Sequence, residues 1–425
     1  MIALAVRAGT AIVAGALLLS AAPAAQRPTF RSAVDLIAVE AQVVDETGTP
    51  VSAMTPADFE VSLNGRRRRV VSADFTHVEG PHPGELIRPL PPVSTNPGSP
   101  NAPPARTFIL AIDASSFEIG AAKGPLDAAR EFVSSLPTSD HLGLYVYPTG
   151  PRIVPGEGRA LVRQALTGVV GSQMRFNGKY HLRPSEVVDI TGAFGGANPG
   201  GIAARVRASQ LTAAQIDANP VFGVQARECP DDPECGTRII SEASAMALHL
   251  EGQLSRSLTG LEALLRALSD LPGRKTVVLV TAGLIVSDRP GGRPDVGDLS
   301  RVLGQRAAAA NAVVYTVYAE SSFTGVYGAS PRRVADVERE RDRSIAGDWL
   351  DRFSAAAGGF LINVPIGSGE FAFARVLRET SAYYLLGVEP APDDRDGRPR
   401  ELRVKLNRKG LTVRNRQWVV VPRAS

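Results

Sequence analysis

The stretch FILAIDASSFEIG, residues 108–120, decides how the rest of the chain is read. Phe108 to Ile112 form an unbroken apolar run, as in a strand buried on both faces. The run ends on one carboxylate, Asp113, and then two hydroxyls, Ser115 and Ser116. In open parallel sheets, sites form just beyond the carboxyl ends of strands. Three readings are open for this junction: it holds a cation, positions a nucleophile, or closes the strand with local hydrogen bonds.

Moving outward, strands alternate with helical patterns. Leu126, Ala129, Phe132, Val133 and Leu136 recur at helical spacing, and LGLYVYP (142–148) reads as the next strand. Residues 237–271 carry a long helical pattern lined by Leu258, Leu261, Leu264, Leu265, Leu268 and Leu271. TVVLVTAG (276–283) is a continuous β-branched run, and AVVYTVYA (312–319) follows a helix over about 297–310. A polar helix over about 331–356, the strand FLINV and a helix over about 369–379 complete the series. This alternation predicts an α/β domain over 107–380, a doubly wound, mostly parallel, Rossmann-like sheet. Residues 170–236 break the rhythm, being rich in Gly, Asn and Pro. They read as an insertion at the loop end of the sheet, with Ala203 to Asp217 suited to a helix.

Both ends of the chain read differently. In DLIAVEAQVV (35–44), Ile37, Val39, Ala41 and Val43 share one face. Phe59, Val61 and Leu63 do the same before Asn64-Gly65, a dipeptide suited to a tight hairpin. Arg66, Arg67, Arg68 and Arg69 open the return strand. They read either as a solvated edge that discourages pairing or as a contact patch for anionic surfaces. After 380, YYLLGVEP, ELRVKLN, GLTV and QWVVV are strand-like, with Leu402, Val404 and Leu406 alternating with polar residues. Neither end is large enough to fold alone. The 30–78 and 381–425 segments are therefore expected to pair as one accessory all-β sandwich, with the α/β domain inserted between them and a Pro-rich linker at 79–106.

Residues 1–25 read as a signal peptide: Arg7, an apolar core from Ala8 to Leu19, then small residues at Ala22-Pro23-Ala24. An uncleaved anchor is the alternative, although the apolar core is short for a bilayer span. The mature chain is thus expected outside the cytoplasm, periplasmic or extracellular, touching the membrane only through its export signal. In that oxidising setting Cys229 and Cys235, the only cysteines, are expected to close a small disulfide ring in ECPDDPEC, with free thiols the alternative. Of the 425 residues 44% are apolar and 21% charged, which fits a globular chain. A net charge of +4 with both signs interspersed gives no basis for nucleic-acid binding.

Asp113, Ser115 and Ser116 lie at one strand end and Thr281-Ala282 at another, with Ser257-Leu258-Thr259 expected as a loop near both. In this arrangement the 107–380 region resembles a von Willebrand factor type A (VWA) domain. The family's metal-ion-dependent adhesion site reads Asp-x-Ser-x-Ser, joined by a Thr from a later loop and an Asp from a Thr-Asp-Gly-like turn. Here Asp113 and Ser115 match and Thr259 fits the loop position, but Phe117 and Ala282 replace two ligands. The resemblance therefore implies a degenerate site with weak or no binding of Mg²⁺ or another divalent cation, where Ser116 and Asp288 compensate only if the loops differ from the family's, and it implies no other cofactor. VVDETGTPVSAMTPADFEVSLNG, LPGRKTVVLVTAGL, ETSAYYLLGVEP and DGRPRELRVKL are similar, in the same order, to blocks of an exported bacterial VWA-related subgroup abundant in acidobacteria.

The resemblance implies a non-enzymatic adhesion or complex-assembly module that binds another protein or a cell-envelope component. Its partner surface is expected at Ser116, Phe117, Asp288 and the Arg66–Arg69 strand. A metal-dependent adhesion protein and a hydrolase are the alternatives. Against the hydrolase, no Gly-x-Ser-x-Gly elbow or His-Glu-x-x-His occurs, and His141, His77 and His82 are scattered. The glycine pairs at 195–196 and 291–292 lack phosphate-cradle spacing.

Overall fold

The computed structural model describes residues 36–77, 106–194, 219–320, 336–365 and 369–423. The expected signal peptide, the Ala203–Asp217 helix and nearly all of the 79–106 linker lie outside them. The described chain opens with strands β1 (Ile37–Val44), β2 (Phe59–Leu63), β3 (Arg66–Arg68) and β4 (Val70–His77). It continues through β5 (Thr107–Asp113), α1 (Lys123–Ser135), β6 (His141–Tyr147), β7 (Arg152–Ile153), α2 (Arg159–Thr167), α3 (Pro184–Phe194) and α4 (Pro220–Glu228). Then come α5 (Cys235–Ser269), β8 (Lys275–Thr281), α6 (Leu299–Ala309), β9 (Ala312–Ala319), α7 (Asp336–Ala356), β10 (Leu361–Val364) and α8 (Glu370–Glu379). Four strands close the chain: β11 (Ala382–Val388), β12 (Pro399–Leu406), β13 (Thr412–Arg414) and β14 (Trp418–Val420).

The six-stranded sheet runs β10-β9-β8-β5-β6-β7, parallel except for the edge strand β7. Its central strands are apolar on both faces because both faces are covered. Phe108, Leu110 and Ile112 pack with α1 and α8 residues such as Phe132 and Phe373. Ile109 and Ala111 face Leu261, Leu264 and Leu265 of α5 and Trp349 and Phe353 of α7. Counted from β5, the strand order is 3-2-1-4-5-6, so the winding reverses between β5 and β8. A doubly wound sheet opens its crevice at that reversal, beyond the carboxyl ends of the strands. Asp113 ends β5 there and Thr281 ends β8.

The two ends of the chain interleave. One antiparallel sheet has the order β13-β1-β11-β4 and the other β14-β12-β2-β3. Ile37, Val39, Ala41, Phe59, Val61, Tyr384, Leu386, Leu402 and Val404 contribute to one core shared by both sheets. The Asn64-Gly65 turn has φ of 46° and 77°, the left-handed pair that a type I′ hairpin needs. The outer face of β1 meets the α/β domain through polar contacts. Glu40 pairs with Arg274 at 3.0 Å, and Tyr315 Oη donates to Gln42 Oε1 at 2.6 Å.

The insertion has more regular structure than its composition suggests. Helices α3 and α4 pack on the first half of α5, where Val187, Ile190, Val221, Ile239, Ala243 and Met246 belong to a separate core. Cys229 and Cys235 form a disulfide, with Cα atoms 6.4 Å apart, that ties the end of α4 to the start of α5. Salt bridges fasten α3 and its approach to α7: Arg341 grips Asp189 with both Nη atoms at 2.6 Å, and Arg183 meets Glu338 at 2.7 Å. Among the described residues no helix is long and apolar enough to cross a membrane.

Candidate functional site

At the sheet reversal the polar groups of β5 and β8 turn toward one another. Asp113 Oδ1 accepts from Ser115 Oγ at 2.6 Å and from Ser115 N at 3.2 Å. Its Oδ2 lies 3.5 Å from Thr281 Oγ1, which itself accepts from Gly283 N at 3.2 Å. Ser116 Oγ donates to Asp113 O and accepts from Ala282 N, both at 2.8 Å, stitching the end of β5 to the turn after β8. Ser257 Oγ on α5 lies 3.0 Å from Ser115 Oγ. Burial pushes the Asp113 carboxyl above its ordinary value, opposed by hydrogen bonds from Ser115 and Ser257. Burial, and then the Asp113 charge, raises the Tyr147 phenol alongside. The helix comes this close because residue 260 is glycine: a Cβ there would stand 2.2 Å from the Tyr147 ring.

The network is roofed over. A strap at 171–176 pairs with the loop after β5, Ser172 N donating to Ala114 O at 2.8 Å and Gln173 N to Phe117 O at 2.9 Å. Gly171 allows the main chains to meet, since a Cβ would lie 2.4 Å from the carbonyl oxygens of Phe117 and Glu118. Arg175 pairs with Glu118 across the same seam, and His249 Nε2 on α5 lies 2.9 Å from Met174 O. Asp113, Ser115, Ser257 and Thr281 are each no more than 2% exposed. Beside them a cleft of about 90 Å³ runs between strap and helix, lined by Gln173, Met174, Phe176, Leu250, Gln253 and Leu284 among others. Ile119, Met174 and Leu248, on the three segments that meet here, are 81%, 68% and 61% exposed.

Several expected site residues stand elsewhere. Thr259 does not reach Asp113. The segment around it is helix interior rather than loop, and at helical pitch Ser257 faces the sheet while Thr259 turns toward a shallow groove shared with Glu262 and Leu299. Phe117 is not partner surface: it is 1% exposed and packs in the core with Leu126 and Val146. Ser116 is likewise internal, held by the stitch just described. Asp288 makes no contact with Asp113; it sits 3.4 Å from Arg341, on the loop that leads to α6. The four arginines do not form one patch. Arg68 is half-buried against the buried Asp394 at 2.6 Å and Arg67 is held by Glu60, while Arg66 and Arg69 are exposed with carboxylates 4.0 Å away. His141 opens β6 on the exposed surface at the opposite end of the sheet. Among the described residues no group of three or more His, Cys, Asp or Glu is gathered in a metal-binding arrangement.

No protein-family model and no curated protein matches the chain. Among solved structures it is similar to an aerotolerance-related membrane protein from Bacteroides fragilis NCTC 9343. That likeness has 10% identity and a TM-score of 0.28, over 65% of this chain and 98% of that one. It is also similar to the human COPII-coat protein Sec24c, at 9% identity and a TM-score of 0.27, over 75% of this chain and 44% of that one. At such scores neither likeness adds to what the strand order gives.

Proposed function

We propose that the chain is a non-enzymatic protein-binding or complex-assembly module of VWA type, exported from the cytoplasm, whose docking face is the outer side of the strap and the loops around it. One observation carries this reading. The crevice where a doubly wound sheet would hold a reaction centre is filled by its own hydroxyl network and roofed, while Met174 on the roof, and Ile119 and Leu248 on the segments that flank it, stand exposed. Exposed apolar groups that adjoin into one patch favour macromolecular contact. The disulfide supports an oxidising address.

The Asp113 cluster does not suit a hard cation. Mg²⁺ sheds water reluctantly and needs an octahedron of oxygens. Here one buried carboxylate is met by hydroxyls and a backbone amide, Ala282 stands where the family carries an acid, and Ser116 Oγ is committed to two backbone groups. We therefore read the cluster as structural and assign it neither metal nor catalysis.

The test is capture from the native envelope by wild type, Met174→Glu and, as a control elsewhere on the surface, Leu161→Glu, each with and without EDTA. A partner held by wild type and Leu161→Glu in both conditions, and lost with Met174→Glu, supports the reading. Capture that needs a divalent cation and disappears with Asp113→Ala would instead establish metal-dependent adhesion.

A further inference from the structure

The cleft beside the strap selects its occupant by its lining. Met246, Leu250 and Leu254 line it from α5, Met174 and Phe176 from the strap, and Leu284 from the segment after β8. The polar groups among them are engaged within the protein. Glu118 and Arg175, the only carboxylate and guanidinium in the lining, hold each other. Ser115 Oγ is spent on Asp113 and Ser257, and Ser116 Oγ on two backbone groups. His249 Nε2 lies against Met174 O, and Gln173 Nε2 donates to Gln253 Oε1 at 3.3 Å. Among the buried side-chain atoms of this lining only Gln173 Oε1 has no partner.

An apolar recess left in water is unfavourable, and the anchors of protein interfaces fill such recesses. A charged ligand gains nothing in this one, because its acid and base already neutralise each other. Volume then sets the size of the group. A dry cavity of about 150 Å³ takes a benzene ring, so the cleft, at about 90 Å³, suits a leucine or isoleucine side chain and is small for an aromatic one. The unmet acceptor separates a peptide from a lipid chain. A peptide brings an N–H donor beside its side chain and an acyl chain brings none, while an acceptor kept buried and unpaired costs free energy. We infer that the cleft is the anchor pocket for one branched aliphatic side chain of a partner polypeptide, with Gln173 Oε1 accepting a backbone N–H of the same segment. The inference rests on the docking face proposed above and names what that face grips.

Methionine methyls report on the pocket. Of the four methionines, Met174 and Met246 line the cleft and Met54 belongs to the core of the β module. The full chain, isotope-labelled at its methionine methyls, is titrated by NMR with N-acetyl-leucine methylamide, with its alanine and phenylalanine counterparts, and with the ester analogue in which oxygen replaces the leucine N–H. The leucine probe should shift the Met174 and Met246 signals saturably and leave Met54 in place. The alanine probe, which lacks three carbons of the side chain, should bind about 10-fold or more weakly. The ester should bind about fivefold more weakly than the amide, and the phenylalanine probe more weakly than the leucine one. Leu250→Phe, which fills the space, should abolish the response; if that variant fails to fold, the comparison of probes on wild type still decides. An unmoved Met246, a Met54 shift equal to it, equal affinity for the leucine and alanine probes or for amide and ester, or tighter binding of phenylalanine overturns the inference. The capture experiment above is read separately. Capture lost with Met174→Glu while the probes leave Met246 unmoved keeps the docking face and removes the anchor. A saturable leucine response with capture unaltered in Met174→Glu removes the docking face and keeps the cleft as a peptide site.

Discussion

Replacing Gly260 by alanine measures how tightly α5 is seated on the sheet reversal. The new Cβ would lie 2.2, 2.6 and 3.0 Å from Cδ2, Cγ and Cβ of Tyr147, whereas carbon atoms rest about 3.5–4.0 Å apart. The ring or the helix must therefore give by roughly 1 Å. Tyr147 has little freedom, being 2% exposed with the Tyr145 ring 6.2 Å away. Such overpacking costs about 1–3 kcal/mol, while exchanging glycine for alanine in a helix interior gains up to about 1 kcal/mol. The expected net loss is about 1–2 kcal/mol. Gly252 on the same helix is the control, because its nearest obstacle is the flexible tip of Arg256 at 3.7 Å. Gly252→Ala should gain up to about 1 kcal/mol. Urea unfolding followed by tryptophan fluorescence gives both midpoints. Amide exchange at Ser115 and Ser116 gives a local readout, since a displaced helix takes Ser257 with it. If Gly260→Ala is as stable as Gly252→Ala and its Ser115 exchange is unchanged, the close seating of α5 is wrong.

Two further outcomes are expected. Burial raises the pKa of Asp113 in the folded chain, so the folded state holds the proton more tightly than the unfolded state does. The stability linked to this is complete below the unfolded value and is lost as pH rises through the folded one. Asp113→Asn should therefore be more stable than its parent at neutral pH and lose that advantage in acid. Urea midpoints at pH 7 and pH 4 that differ by the same amount would contradict this. The Cys229–Cys235 ring is short, with a sequence separation of 6, and the chain-entropy estimate for such a ring is about 2 kcal/mol. The double serine variant should show faster amide exchange over α4 and the start of α5 while β5 and β8 keep their protection; uniform exchange throughout would show that the insertion and the sheet unfold together.

Much of the architecture could be read from local pattern. Val277 to Val280 are apolar without interruption, and Val313 to Val317 are broken only by Thr316, because helices cover both faces, and Asn64-Gly65 marks its hairpin by backbone preference alone. The site was legible only in part. Matching residue types to a motif chose Thr259, yet spacing favours its neighbour: Leu250, Leu254, Ser257, Leu261, Leu264 and Leu268 form one buried stripe of three- and four-residue steps, and Thr259 falls outside it. The loop motif places Phe117 at the surface, although an aromatic there also fits a core anchor. The roof had no such signature. It is held by main-chain hydrogen bonds between 172–173 and 114–117, and backbone pairing across loops leaves little trace in side-chain periodicity. Within the insertion, helix α3 is masked by the Gly, Asn and Pro content around Val187, Ile190 and Phe194, which recur at helical steps.

The interleaving of the two chain ends has a consequence for how the molecule is made. Strand β11 lies between β1 and β4, and β12 pairs with β2, so Ile37 finds Val388 and Phe59 finds Leu406. Nothing near them in sequence can take those places. As the polypeptide emerges amino end first, the opening strands, apart from the local β2-β3 hairpin, must stay unpaired, their backbone groups open to wrong neighbours, until the last segment arrives. Contacts this remote slow folding, and a polypeptide that stops before residue 382 leaves β1, β2 and β4 without the partners that bury them.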